Sequence, residues 1–398
     1  MSPAAREPIF STTVRTDRTP KLNHESTYAF YDRVAGDFWN HPRQLIQAWA
    51  DTISHDDEYH ELRQRFRSCD DDQFRSAFLE LYLHECLFRA GFTIIIHPEI
   101  SGTSRRPDFY AERDGTSLYL EAIAPGTNQR AKSAAKRRAS LFDHVNKLGD
   151  PNFLLSVVRL RDGPTTPPTR RLIHDLKTWL SSLNPDDYPG YEHAPQWTWV
   201  HEEWSATFKA IPKSPEARGK PSERAIGVYA ASEAAFIDDA PAIRAALVEK
   251  HHAYGDLDAP FLIAVGTYIF DSDLWHSTNA LYGREVYELV ETDEGETLTT
   301  ATRQADGYFG TPPNWQNSNV SGVLLVNQLM PENAHRAETT LWRHPNPQHP
   351  LHDELGFPAV TVAVGGNALN ASTSPIPATH FFELPDPWPP GEPWPKQK

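Results

Sequence analysis

Residues 105–123 read RRPDFYAERDGTSLYLEAI. Two β-prone runs flank Asp114-Gly115, the dipeptide best suited to the positive φ angles of a two-residue type I′ turn. That turn fixes the register, with Arg113 facing Thr116, Tyr110 facing Tyr119 and Asp108 facing Glu121. Directly opposed side chains have Cβ atoms about 4.5–5.5 Å apart, where like charges are destabilising. Two carboxylates so placed call for a shared divalent cation. Leu118 to Ala124 is otherwise apolar, so Glu121 sits at the edge of a core, where an unpaired charge is costly. For Asp108 an alternative is a strand-start residue paired with Arg105 or Arg106.

Upstream, Ser68-Cys69-Asp70-Asp71-Asp72 reads as a helix start, with acids at the positive end of the dipole. The helix over 73–90 is apolar on most sides, as a buried helix is. Gln73, Ser76, Glu80 and His84 form its one polar stripe, spaced to share a face that touches solvent or a site. Gly91 ends the helix as a C-cap, and Phe92 to Ile96 reads as a strand. Downstream, a basic helix carries Arg130, Lys132, Lys136, Arg137 and Arg138, and Phe153 to Leu160 reads as the next strand. The order helix, three strands, helix, strand implies an α/β fold, a mixed sheet flanked by helices.

Helix with Glu80, then Pro107-Asp108, then Leu118-Tyr119-Leu120-Glu121-Ala122-Ile123 resembles the PD-(D/E)XK nuclease superfamily over residues 72 to about 160. The resemblance implies a restriction-endonuclease-like core that hydrolyses phosphodiester bonds. It implies that Asp108 and Glu121 hold Mg²⁺ or Mn²⁺, with Glu80 completing the site. The family's lysine, two residues after the glutamate, positions the attacking water; here that position is Ile123. Without it the metal must do more of the activation. Lys132 or Lys136 could project back from the next helix, and Gln129 could hold a water.

The formal net charge of −15 argues against general affinity for nucleic acid. Residues 101–175 nevertheless carry thirteen Lys and Arg against eight Asp and Glu. Arg105, Arg106, Arg130, Lys136, Arg137 and Arg138 are the candidate phosphate contacts, and a solvated helix face is the plainer alternative. Hydrophobic residues at 39% and charged residues at 23% describe a globular protein. No apolar run reaches the roughly 20 residues of a membrane span, residues 1–15 lack a signal-peptide core, and two cysteines give no disulfide framework. A cytoplasmic protein with no membrane partner is expected.

Four segments are expected. Residues 1–70 form an N-terminal arm, poorly ordered to about 24, followed by helices. Residues 71–165 form the nuclease-like core, residues 166–345 an α/β extension of the same sheet or a substrate or partner region, and residues 346–398 a proline-rich segment with polyproline II character at its end. The tryptophans over 197–204 could stack on bases, but packing is their commoner role. HExxH, GxSxG, Walker A and GxGxxG patterns are absent. Two functions follow. One is a metal-dependent nuclease, with DNA the expected substrate and the choice between DNA and RNA left open by the sequence, in defence or DNA processing. The other is a catalytically inactive subunit of the same fold that binds nucleic acid or protein, a homodimer included. Ile123 favours the second and the opposed carboxylates the first.

Overall fold

Asp114 and Gly115 both take positive φ, 52° and 74°, as a type I′ hairpin requires. Arg113 pairs with Thr116, Tyr110 with Tyr119 and Phe109 with Leu120, so the expected register holds. The computed structural model describes residues 6–125, 129–220, 222, 224–229, 238–271, 273–291, 297–352, 354–365, 368–374 and 376–394. The chain divides into two compact units, one comprising 1–19, 26–126 and 238–398, the other 20–25 and 127–237.

In chain order the first unit opens with α1 (Thr27–Arg33), α2 (Asp37–Ala50), α3 (Asp56–Arg67), α4 (Asp71–Arg89), β1 (Thr93–Ile96), β2 (Phe109–Arg113) and β3 (Thr116–Ile123). The second unit contributes α5 (Gln129–Asn146), β4 (Phe153–Arg161), α6 (Thr169–Ser181), β5 (Gln196–His201), β6 (Trp204–Pro212) and β7 (Ile226–Tyr229). The first resumes with α7 (Ala240–Lys250), β8 (Phe261–Thr267), α8 (Trp275–Tyr282) and a hairpin of β9 (Glu285–Glu291) and β10 (Thr297–Arg303). Then come β11 (Gly310–Thr311), β12 (Asn314–Trp315), β13 (Gly322–Asn327), β14 (Glu338–Arg343), β15 (Val360–Gly365), β16 (Ala368–Thr373) and α9 (Ala378–Phe381).

The first unit is built on a mixed eight-stranded sheet in the order β1-β2-β3-β8-β13-β14-β15-β16. Its central strands β8 and β13 are buried along their whole length. Their continuous apolar runs are those of strands covered on both faces. Leu118 and Leu120 point to one face, where α4 packs, while Ile123 points to the other with Ile243 and Leu247 of α7. α4 starts where its sequence says: the Asp70 carboxylate accepts from the Asp72 N–H, and Gly91 takes φ 82° beyond its end.

Three expectations change. β4 does not extend the first sheet, and of the extension expected over 166–345 only β8, β13 and β14 join that sheet. β4 joins a separate four-stranded sheet, order β5-β6-β4-β7, with its own apolar core. A parallel neighbour of β3 needs a crossover connection, and here a whole folding unit fills that crossover. β3's parallel partner is therefore β8, with Glu121 opposite Ile263, and the core region expected over 71–165 is discontinuous.

β14 is largely buried, and within the segment expected to be proline-rich over 346–398, β15 and β16 complete the sheet. Both ends of the described chain pack down. Ile9 and Phe10 are buried, with Phe10 stacked on Tyr28 at 5.5 Å. The proline-rich tail is held by the Trp388 indole N–H donating to Pro331 O (3.1 Å) and that of Trp39 donating to Pro393 O (3.2 Å). No helix among the described residues is long and apolar enough to cross a membrane.

Candidate catalytic site

One step past the Phe109–Leu120 rung, Asp108 lies beside Glu121, as the hairpin arithmetic requires. Its N–H donates to Glu121 Oε2 at 3.3 Å, and its own Oδ2 accepts from the Ala122 N–H at 2.7 Å. His97, at the end of β1, donates its N–H to Asp108 O at 3.0 Å and brings Nε2 to 3.8 Å from Asp108 Oδ1.

Glu121 is 2% exposed, and two groups that follow the second unit in the chain bond to it, one of them a cation. Lys250 Nζ, at the end of α7, reaches Oε1 at 2.6 Å, and the Tyr254 hydroxyl donates to Oε2 at 2.5 Å. Ile123 is two residues along β3, on the face that α7 covers. Lys250 thus brings a cation to that face from another element. Burial draws Lys250 down, but its bond to Glu121 and the charges of Glu121 and Asp108 outweigh burial and hold the ammonium above its usual range. Burial first, and then the neighbouring Glu121, push the Tyr254 phenol far up. Tyr254 is therefore a fixed donor.

Glu80 is gripped from α3. Arg65 meets both of its carboxylate oxygens, Nη2 at 2.6 Å from Oε1, and the same nitrogen reaches Ser76 Oγ at 2.9 Å. The polar stripe of α4 therefore faces Arg65 and a small pocket. That pocket, about 30 Å³, is lined by Arg65, Glu80, His84, His97 and Asp108 among others, room for a water or two or a partly hydrated ion. Burial holds His84 at about 4, and its Nδ1 finds no hydrogen-bond partner among the described residues.

Asp108 is the group left over. Burial, then the charges of Glu80 and Glu121, push its carboxyl well above the usual range, and the Ala122 N–H and Lys250 offset only part of this. Arg65 is committed to Glu80 and Lys250 to Glu121, so an ionised Asp108 leaves the cluster short of positive charge.

The remaining candidates divide between the two units. Lys132, Lys136, Arg137 and Arg138 belong to α5 in the second unit, where Arg137 Nε donates to Gly163 O (3.2 Å) and Arg138 pairs with Asp162 (3.3 Å). The side chains of Gln129 and Arg130 lie outside the described residues. Arg106 pairs with Glu99 at 2.7 Å. Arg105 is exposed, and its charge is felt at the Tyr254 hydroxyl. Sequence reading missed Arg65, Lys250 and Tyr254, since nothing local marks a lysine 129 positions from its carboxylate.

Among the described residues, no three His, Cys, Asp or Glu groups are disposed to hold a metal together. A Mg²⁺ ion needs fewer, since one or two carboxylates with water and substrate phosphate suffice. Asp108 and Glu121 meet that requirement in donor type and adjacency, while Glu80 is turned to Arg65. No protein-family model, no curated protein and no solved structure matches this chain.

Proposed function

We propose that the chain is a metal-dependent phosphodiester hydrolase with a restriction-endonuclease-like core, acting on nucleic acid, with DNA the expected substrate. The observation that carries this reading is the uncompensated Asp108 beside a buried Glu121. A folded protein keeps such a like-charge pair at a cost in stability, and a divalent cation removes that cost. Asp108 and Glu121 would hold Mg²⁺ or Mn²⁺, which when bound polarises a phosphoryl oxygen and acidifies water. Lys250 stands where it can orient a water or meet the charge growing on phosphate, the part Ile123 cannot play. Tyr254 keeps Glu121 in one rotamer, and Arg65 holds Glu80 as a fixed negative charge behind Asp108.

Mn²⁺ titration calorimetry of the wild type and Asp108→Asn, with plasmid and single-strand cleavage assays, tests the assignment. The expected result is binding in the low-millimolar range or tighter, lost in Asp108→Asn together with metal-dependent cutting. Absence of binding in the wild type overturns it.

A second reading, a catalytically silent member of the same fold serving as a binding subunit, has its own observation. Both oxygens of Glu80 and both of Glu121 already have donors within the chain. Mn²⁺ binding without cutting of any nucleic acid supports it.

A further inference from the structure

The second unit covers one face of its sheet and leaves chemistry on the other. α5 and α6 bury the face formed by Leu155, Val157, Trp199, Ala206 and Phe208, where Trp179 stacks on Trp197 at 5.7 Å. These tryptophans are packing residues. Simple alternation along β4 from Phe153, Leu155 and Val157 would send Arg159 and Arg161 into that same core. A bulge between Val157 and Arg159 shifts the register by one residue. Leu160 then turns to the core, and both arginines come out exposed on the opposite face. A bulge that re-aims side chains is a built feature of a strand.

The register lines up what surrounds them. Arg159 lies opposite Thr207, which lies opposite Thr198, and the two threonine hydroxyls bond at 2.9 Å. Arg161 lies opposite Ser205, which lies opposite the exposed Val200. In the next row Lys209 is buried, its ammonium donating to Glu192 O (3.3 Å) and lying 4.2 Å from the ring centroid of Tyr191, a residue that is 46% exposed. The second unit holds 17 Lys and Arg against 13 Asp and Glu, in a chain whose formal net charge is −15. Its excess is positive where the rest of the chain is acidic.

We propose that this face binds single-stranded nucleic acid. Arg159 and Arg161 meet successive phosphates, the Thr198–Thr207 hydroxyl row bonds the backbone beside them, and Tyr191, backed by Lys209, stacks on a base. A sheet face with two exposed arginines and an exposed tyrosine suits unpaired bases, whose faces a duplex hides. The choice of polymer rests on the nuclease reading; the anion-binding chemistry does not, and binding measured in EDTA separates the failure of one from the failure of the other.

The test is fluorescence anisotropy of the full chain with labelled oligo-dT and oligo-U of about 20 nucleotides, and a duplex of equal length. Two to three neutralised phosphates on a single strand give a salt slope of about −1.4 to −2.1, so affinity falls on the order of sevenfold to twentyfold from about 50 to about 200 mM salt. Arg159→Glu with Arg161→Glu is expected to weaken binding at least tenfold and flatten that slope. Tyr191→Ala is expected to weaken it about fivefold or more. Val200→Glu, at an exposed edge position in the Arg161 row, is the second variant should the double reversal fail to fold, and a loss of threefold or more supports the same face. Arg170→Glu with Arg171→Glu, on α6, is expected to leave affinity within twofold. Three results overturn the proposal: no binding of either single strand at low salt, duplex binding as tight as single-strand binding, or an equal loss from the α6 reversal.

Discussion

The two units of this molecule use positive charge in opposite ways. In the first, cations are drawn into a desolvated cluster and consumed there, Arg65 by Glu80 and Lys250 by Glu121. In the second, a register shift sends Arg159 and Arg161 outward. Burial makes each neighbour in the first cluster count, because the interactions are little screened and the count of charges decides who is protonated. An exposed cation is screened within about 10 Å, so it gains affinity only against a polyanion that presents several charges at once.

That difference is sharpest at the lysines. Lys250→Met is expected to lower metal-dependent cutting on the order of 10²–10³-fold, the usual effect of removing one electrostatic stabiliser. It also leaves Glu121 buried without its cation, destabilising the fold by about 2 kcal/mol once Lys250's partial exposure is allowed for. Lys132→Met and Lys136→Met, in the second unit, are expected to leave the rate within twofold. Equal losses from these would return the catalytic cation to α5. Steady-state cutting and urea denaturation read both effects.

The next effect is at His84, in the first unit. His84 is held at about 4, below its ordinary 6.5, so its neutral form stabilises the fold above pH 6.5. That contribution is lost as pH falls from 6.5 towards 4, by up to about 3 kcal/mol. Urea midpoints measured across this range should flatten in His84→Leu.

The smallest expected effect on stability is at Asp108. Its folded carboxyl binds a proton more tightly than the unfolded chain does, so stability falls as pH rises from about 3.8, the ordinary value of that carboxyl. Asp108→Asn is expected to raise stability by about 1–2 kcal/mol at neutral pH while metal binding is lost. Destabilisation by this variant would mean that Asp108 is a structural acid, and the site reading would fall. Wild-type Mn²⁺ affinity should rise with pH over the range where Asp108 ionises.

Much of the first unit was legible because its signals are local. Asp114-Gly115 and the alternation around it fix a hairpin within one stretch of chain, and that hairpin alone puts Asp108 beside Glu121. The capped, mostly apolar α4 and the unbroken apolar run of β8 are equally self-contained. β14 to β16 were hidden because short strands among Pro, Asn and His carry weak patterns. The bulge in β4 was hidden because a strand's alternation says nothing of where it slips. The polar stripe of α4 was visible, but not that Arg65 would hold it.

The sequence by itself determined the carboxylate pair, since a two-residue turn leaves one register and the side-chain period of two does the rest. Tertiary structure alone decided what compensates that pair. β3 must find a parallel neighbour across the sheet, the crossover to it carries an entire second unit, and only when β8 docks beside β3 does α7 bring Lys250 and Tyr254 onto Glu121. Contacts that span more than a hundred residues are set by which faces must be buried together, and no local pattern records them.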